Sequence, residues 1–246
     1  MTRLLSKARF LATNALLMVI CADPCAAADT SISGDVGLGT ITTQGRIRGD
    51  RSTTDAVPYL NFDYGPVFAR IDTFGVKVLP LGYGNLEIVG QYRGDGYKVS
   101  PMQRRDDSVP IGLGTMQITP FGAFGLNALY DFGKSGGTLV QARYLAELPF
   151  GRVTVYPEVG AEYQNKAYTG YYYGTTASDA AALGRSYLPG AAFNSYVGVL
   201  IETKVTEKIY VNAYFKQTFL DSTLTTGPFG PPRDRAAVLL ALAYRF

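Results

Sequence analysis

The stretch Ala236-Ala237-Val238-Leu239-Leu240-Ala241-Leu242-Ala243-Tyr244-Arg245-Phe246 alternates residue by residue and closes on an aromatic residue. Val238, Leu240, Leu242, Tyr244 and Phe246 share one face, and Ala237, Leu239, Ala241, Ala243 and Arg245 share the other. A period of two is that of a β-strand. An apolar face backed by a mostly small or polar one, about 9–11 residues long and ending in interfacial aromatics, fits a transmembrane strand of a β-barrel. The competing reading is an edge strand of a soluble sandwich.

The other end of the chain points the same way. Arg3, Lys7 and Arg9 precede an apolar run from Phe10 to Ile20, and Ala26, Ala27 and Ala28 supply small residues for cleavage. Residues 1–28 therefore read as a cleaved secretory signal peptide, leaving 29–246 as one barrel domain; an uncleaved anchor would need a longer apolar run. Cys21 and Cys25 are the only cysteines and both fall in this segment, so the mature chain carries no disulfide or thiolate ligand. With the segment go three basic residues and one acid, leaving a net charge of +1. That is no footprint for nucleic acid.

Hydrophobic residues make up 47% of the chain, yet past residue 28 no uncharged apolar run is long enough for a membrane helix. They are spread along alternating segments. From Leu139 to Leu148, Val140, Ala142, Tyr144, Ala146 and Leu148 oppose Gln141, Arg143 and Glu147. After Pro149-Phe150-Gly151 the pattern resumes from Arg152 to Tyr163. Weaker segments are legible at 32–42, 57–64, 67–78, 85–93, 109–118 and 121–132, and stronger ones around 197–201 and 209–216. That makes eleven, whereas a bacterial barrel needs an even number. The expectation is an all-β, antiparallel transmembrane barrel of 12 strands, or alternatively 10, with the missing strand in 165–175 or 219–227. Long loops are expected at 43–56, 94–108, 164–192 and 220–235, with one short helix over Asp179 to Leu183, capped by Ser178 and closed by Gly184.

The chain contains no histidine, the usual general base of serine and cysteine nucleophiles and the commonest metal ligand. Neither an enzyme nor a cofactor is expected. Arg143, Glu147, Arg152, Glu158 and Glu162 are expected to face the lumen, where a charge avoids the cost of meeting lipid. There they either ring a selective pore or pair and plug it. Tyr168, Tyr171, Tyr172 and Tyr173, the densest aromatic cluster, either form a loop binding surface or pack the loop onto the rim. Arg93, Lys98, Arg104 and Arg105 read as a solvated basic loop, with anionic lipid headgroups or murein-associated partners as the alternative.

The run Val57-Pro-Tyr-Leu-Asn-Phe-Asp-Tyr-Gly65, the triplet Phe68-Ala-Arg70, the element Tyr171-Tyr-Tyr-Gly174 leading to Tyr187-Leu-Pro-Gly190, and the final Tyr244-Arg-Phe246 resemble the MipA/OmpV family of outer-membrane proteins. That resemblance implies a Gram-negative outer-membrane barrel surrounded by lipid and lipopolysaccharide. It further implies a scaffold linking a lytic transglycosylase (MltA) to a penicillin-binding protein in murein remodelling. A narrow channel for small polar solutes or antibiotics, or a surface adhesin, are the alternatives. No partner-binding motif is carried over.

Overall fold

The computed structural model describes residues 31–246, so the expected signal peptide lies outside the described residues. Thirteen strand segments follow in order: β1 (Ile32–Thr43), β2 (Thr53–Tyr64), β3 (Val67–Arg70), β4 (Thr73–Leu81), β5 (Gly84–Gln91), β6 (Ile111–Thr119), β7 (Gly122–Tyr130), β8 (Thr138–Leu145), β9 (Leu148–Phe150), β10 (Val153–Gln164), β11 (Ala192–Lys204), β12 (Ile209–Phe219) and β13 (Asp234–Arg245). Every pairing is antiparallel and between neighbours. The ring closes where β13 meets β1, from Asp35 opposite Arg245 to Thr43 opposite Ala237. The short β9 continues β8 beyond a break at 146–147, both pairing with β10. The wall is therefore a closed barrel of 12 strands.

The twelfth strand comes from the segment 67–78, which doubles back on itself. Ile71 takes φ 62 and the chain reverses between Arg70 and Thr73. A left-handed β-branched residue is an outlier, and no Gly, Pro or Asn marks the turn, so the alternation runs through it unbroken. Neither place where the missing strand is expected holds one: 165–175 is largely helical, and 219–227 begins on the last residue of β12 and then makes a helical turn at Ser222–Thr225.

Even parity puts both ends of the barrel domain on one rim. At that rim the strands are joined by tight turns at 65–66, 82–83, 120–121 and 151–152, and by Val205 to Lys208. At the other rim are the long connections 44–52, 92–110, 165–191 and 220–233. Outer-membrane barrels keep short turns in the periplasm and long loops outside, so the long connections face outward.

The barrel's inside and outside follow the period of two. Val238, Leu240, Leu242, Tyr244 and Phe246 are all exposed toward lipid, while Leu239, Ala241 and Ala243 are buried in the lumen against Tyr59. Tyr244 and Phe246 meet edge to face at the periplasmic rim, with centroids 5.3 Å apart. Leu239, the one large apolar residue on the polar face of the last strand, fills the lumen rather than meeting lipid.

The outer connections form a folded cap. Helix α1 (Lys166–Tyr173) starts at Asn165, whose side chain accepts from the Tyr168 N–H. Helix α2 (Ala177–Leu183) is held by a capping box of Thr176 with Asp179 and ended by Gly184 at φ 68. Its cap is thus Thr176, two residues before the expected Ser178. Helix α3 (Ser222–Thr225) and a small hairpin bridged at Arg93/Ser108 and Tyr97/Arg105 complete the cap.

Candidate functional site

The lumen is filled at three levels. At the periplasmic level the guanidinium of Arg245, on β13, lies between two carboxylates. It donates to Asp35 of β1 through Nε (2.5 Å) and Nη2 (2.6 Å), and to Glu202 of β11 through Nη1 (3.0 Å) and Nη2. It also stacks over the Tyr210 ring, 3.7 Å from its centroid. On the two strands that flank β4, Arg70 of β3 makes a two-pronged contact with Glu87 of β5 at 2.7 and 2.8 Å. Bidentate arginine–carboxylate pairs are among the strongest polar contacts and fix both partners.

At mid-height Glu158 on β10 accepts from the hydroxyls of Tyr214 (2.8 Å) and Tyr196 (3.2 Å), and Lys216 lies 3.9 Å above the Tyr196 ring. The tyrosine ring fits because its neighbour is Gly160: a Cβ there would stand 2.7 Å from Tyr196 Cε1. Arg143 is accommodated likewise, its Cγ 2.9 Å from where a Cβ on Gly125 would be. Lumen glycines thus make room for the large polar side chains of the next strand.

At the outer level Arg93 forks onto Glu162, Nη1 to Oε2 at 2.8 Å and Nη2 to Oε1 at 3.0 Å, and also reaches Asp95 at 2.9 Å. Arg235 reaches the other oxygen of Asp95 at 3.4 Å, and the Tyr168 hydroxyl donates to Asp95 at 2.8 Å. Gln141 and Gln164 both donate to Glu162 at 2.6 Å. Burial alone would raise the Asp95 carboxyl; the Arg93, Arg235 and Arg46 guanidiniums and the Tyr168 hydrogen bond outweigh it and hold it well below the ordinary carboxylate range.

Above this level the cap packs around its tyrosines. Tyr168, Tyr172 and Tyr173 are buried with Tyr97, Met102 and Leu224, and Tyr171 packs against that cluster. The Tyr97 hydroxyl donates to Tyr172 O (2.9 Å), and buried Arg105 donates to Tyr171 O (2.6 Å) and to Asp179 (3.2 Å). Asp179 also accepts from the N–H groups of Gln103 (2.7 Å) and Thr176 (2.9 Å). These donors outweigh its burial and keep its pKa below the usual value.

The five lumen candidates separate. Glu158 and Glu162 are buried in the lumen, each with several donors, and Arg143 points inward at the level between them, opposite Gly160. Glu147 sits in the break between β8 and β9. Arg152 is exposed in the turn before β10, because Gly151 and Arg152 reverse the chain ahead of the strand. The four tyrosines form the interior of the cap, with Tyr171 partly exposed. Of the four basic loop residues, Lys98 and Arg104 are exposed, while Arg93 and Arg105 are internal ion-pair partners rather than solvated charges. Asp95, Arg235, Asp35 and Glu202 carry the plug and gave no sequence signal beyond their charge. Their partners are 140 residues away for Arg235 and Asp95, and 210 for Arg245 and Asp35.

The sequence profile of the family described as "MltA-interacting protein MipA" matches residues 36–246. Proteins called "Putative outer membrane protein YiaT" in Escherichia coli K12 and in Escherichia coli O157:H7 are each 20% identical to this chain over 243 residues, covering 95% of it and 99% of their own length. With its plugged, capped barrel of 12 strands, the chain belongs to the MipA family and is an outer-membrane protein.

Proposed function

We propose that this barrel is a non-conducting, non-enzymatic anchor in the outer membrane that docks murein-remodelling enzymes, a lytic transglycosylase together with a penicillin-binding synthase, at its periplasmic rim. The observation that carries the reading is the filled lumen. An Arg93–Glu162 fork, a Glu158–tyrosine level and an Arg245 clamp follow one another down the axis, so a pore reading has no clear path. The description of the family as interacting with MltA supplies the partner class.

Partner enzymes that act on murein work on the periplasmic side, where this protein offers a rigid ring of short turns. Arg152 and the segment Val205 to Lys208 are exposed there, with Glu207 paired to Lys204 at 2.7 Å. Tyr83, Phe121 and Phe150 project from neighbouring turns and suit both the interfacial belt and a partner's surface.

The test is a cross-linked pull-down of tagged protein from intact envelopes, with an unrelated barrel as control. Enrichment of a lytic transglycosylase and a penicillin-binding protein is expected. Their absence, together with steady conductance of the purified protein in planar bilayers, would replace docking by transport.

A further inference from the structure

The barrel wall has a notch in its outward half. β3 is only four residues long, so its hairpin with β4 reverses at Ile71 and Asp72, and the last backbone hydrogen bond to β2 is the Ile71 N–H donating to Leu60 O at 2.7 Å, while the Ile71 side chain packs inward on the Tyr59 cluster. Beyond Leu60 toward the outside, β2 pairs only with β1 among the described residues. In an antiparallel ladder alternate residues turn their backbone groups to alternate sides, so Pro58, Ala56 and Thr54 face the gap as Leu60 does. Pro58 brings no N–H, which blunts this edge against pairing with another strand. Thr53, Thr54, Asp55, Ala56 and Pro58 are all exposed. Across the gap stands Tyr92, whose N–H donates to Asp72 O at 2.8 Å.

One cation lies at this notch without an acid partner. Arg46, on the 44–52 connection, reaches over to the hairpin and donates through Nε to Gly94 O and through Nη1 to Gln44 O (3.2 Å). A guanidinium has five donors, so three remain. No carboxylate among the described residues is within ion-pair distance of it; Asp95 and Asp107 act on it from farther away. Gly94 keeps the space clear, since a Cβ there would be 3.2 Å from Arg46 Nη2 and 3.6 Å from the Tyr92 ring. Burial and the repulsion of Arg235 lower the pKa of Arg46, the mark of a partly desolvated charge short of a counter-ion. Farther out, Arg51 and Lys98 flank a cleft of about 440 Å³ between the two connections, with Gly49, Asp50, Val99 and Ser100. The Asp50 carboxylate there is taken up by the N–H groups of Arg46 (2.7 Å) and Arg51 (3.1 Å).

We propose that the notch between β2 and the 92–110 hairpin is a lateral binding site for the phosphorylated head of an outer-leaflet lipid, with Arg46 as the phosphate receptor and Arg51 and Lys98 as its outer contacts. The notch opens sideways, at the outward half of the wall, beside the lipid-facing Leu38 and Pro58 on which acyl chains would lie. Lipids of that leaflet present phosphate at this depth, and arginine matches phosphate with paired donors. The site is independent of the periplasmic docking rim.

Native mass spectrometry of the detergent-purified protein tests it, using bis-phosphorylated lipid A, the same lipid with its phosphates removed, and inorganic phosphate. One phosphorylated lipid is expected to bind, with affinity reduced about tenfold by Arg46→Gln, as loss of a charge-assisted hydrogen bond predicts. The dephosphorylated lipid should bind the native protein as weakly. Ala56→Trp, which fills the notch from the lipid side at an exposed position and leaves Arg46 in place, should abolish binding in a barrel that still runs faster unboiled. Equal binding by the two lipids, or undiminished binding to either variant, would overturn the proposal. Displacement of the lipid by millimolar inorganic phosphate would also overturn it, making the site one for the free ion.

Discussion

Arg245 on the last strand and Asp35 on the first share two hydrogen bonds, at 2.5 and 2.6 Å, directly across the pair of strands that closes the barrel. The same guanidinium holds Glu202 from the other side, so one cation balances two buried acids. Removing one partner of a buried pair costs about 3–5 kcal/mol because the remaining charge is left uncompensated. Arg245→Gln should therefore lower the temperature at which the barrel loses its fast mobility on unboiled gels. Adding Glu202→Gln should recover part of the loss, since one of the two stranded acids is then neutral; no recovery would mean that Arg245 acts by packing alone.

The same seam depends on the absence of a side chain at Gly37. A Cβ there would run into Leu242 O and stand 2.7 Å from Ala243 Cα, both backbone atoms of β13. Backbone cannot swing aside as a side chain can. Gly37→Ala should cost about 1–3 kcal/mol, the range for overpacking, and Gly37→Val should prevent closure altogether. Gel mobility of protein refolded into detergent measures both.

The cap should come loose without the barrel. Asp179 collects Arg105 and the N–H groups of Gln103 and Thr176, tying α2 to the 92–110 hairpin. Asp179→Ala leaves Arg105 buried without its acid, so protease added to intact cells should cut within 92–110 and 165–191 in the variant and not in the native protein. Unboiled mobility should be unchanged.

The cap should also resist mild acid. Asp95 and Asp179 both have lowered pKa values, so each stabilises the folded cap at pH above the unfolded value near 3.9, and the contribution is lost as pH falls through the lower folded value. No histidine is present to titrate between pH 5 and 8. The near-ultraviolet circular dichroism of the buried tyrosines should be constant from pH 7 to about 4 and fade only below. A transition near pH 6 would mean that the plug is not held by these acids.

Much of the wall was legible because lipid on one side and a polar lumen on the other impose a strict period of two. The strand at 153–164 and the last strand follow that pattern almost residue by residue. The reversal at Ile71 was not legible, since it is made by a strained non-glycine residue whose position is fixed by tertiary contacts such as its bond to Leu60. The plug was only half visible. Glu158 and Glu162 announce their inward direction through periodicity, but Arg93 sits outside any strand and looks like a solvated loop charge until the fold sets it against Glu162, 69 residues on. The tyrosines at 168 and 171–173 likewise show their density in the sequence and their burial only in the cap.

Docking as proposed places the partner enzymes on the periplasmic turns of the closed barrel. Site-specific photo-cross-linking in living cells reads this out, with the photoreactive residue at Arg152 or Thr206 on the turns, and at Arg104 on the outer hairpin as control. Docking predicts adducts to a lytic transglycosylase or a penicillin-binding protein from the two turn positions and none from Arg104. Adducts to neither enzyme from either turn, at full expression of a heat-modifiable barrel, would contradict it.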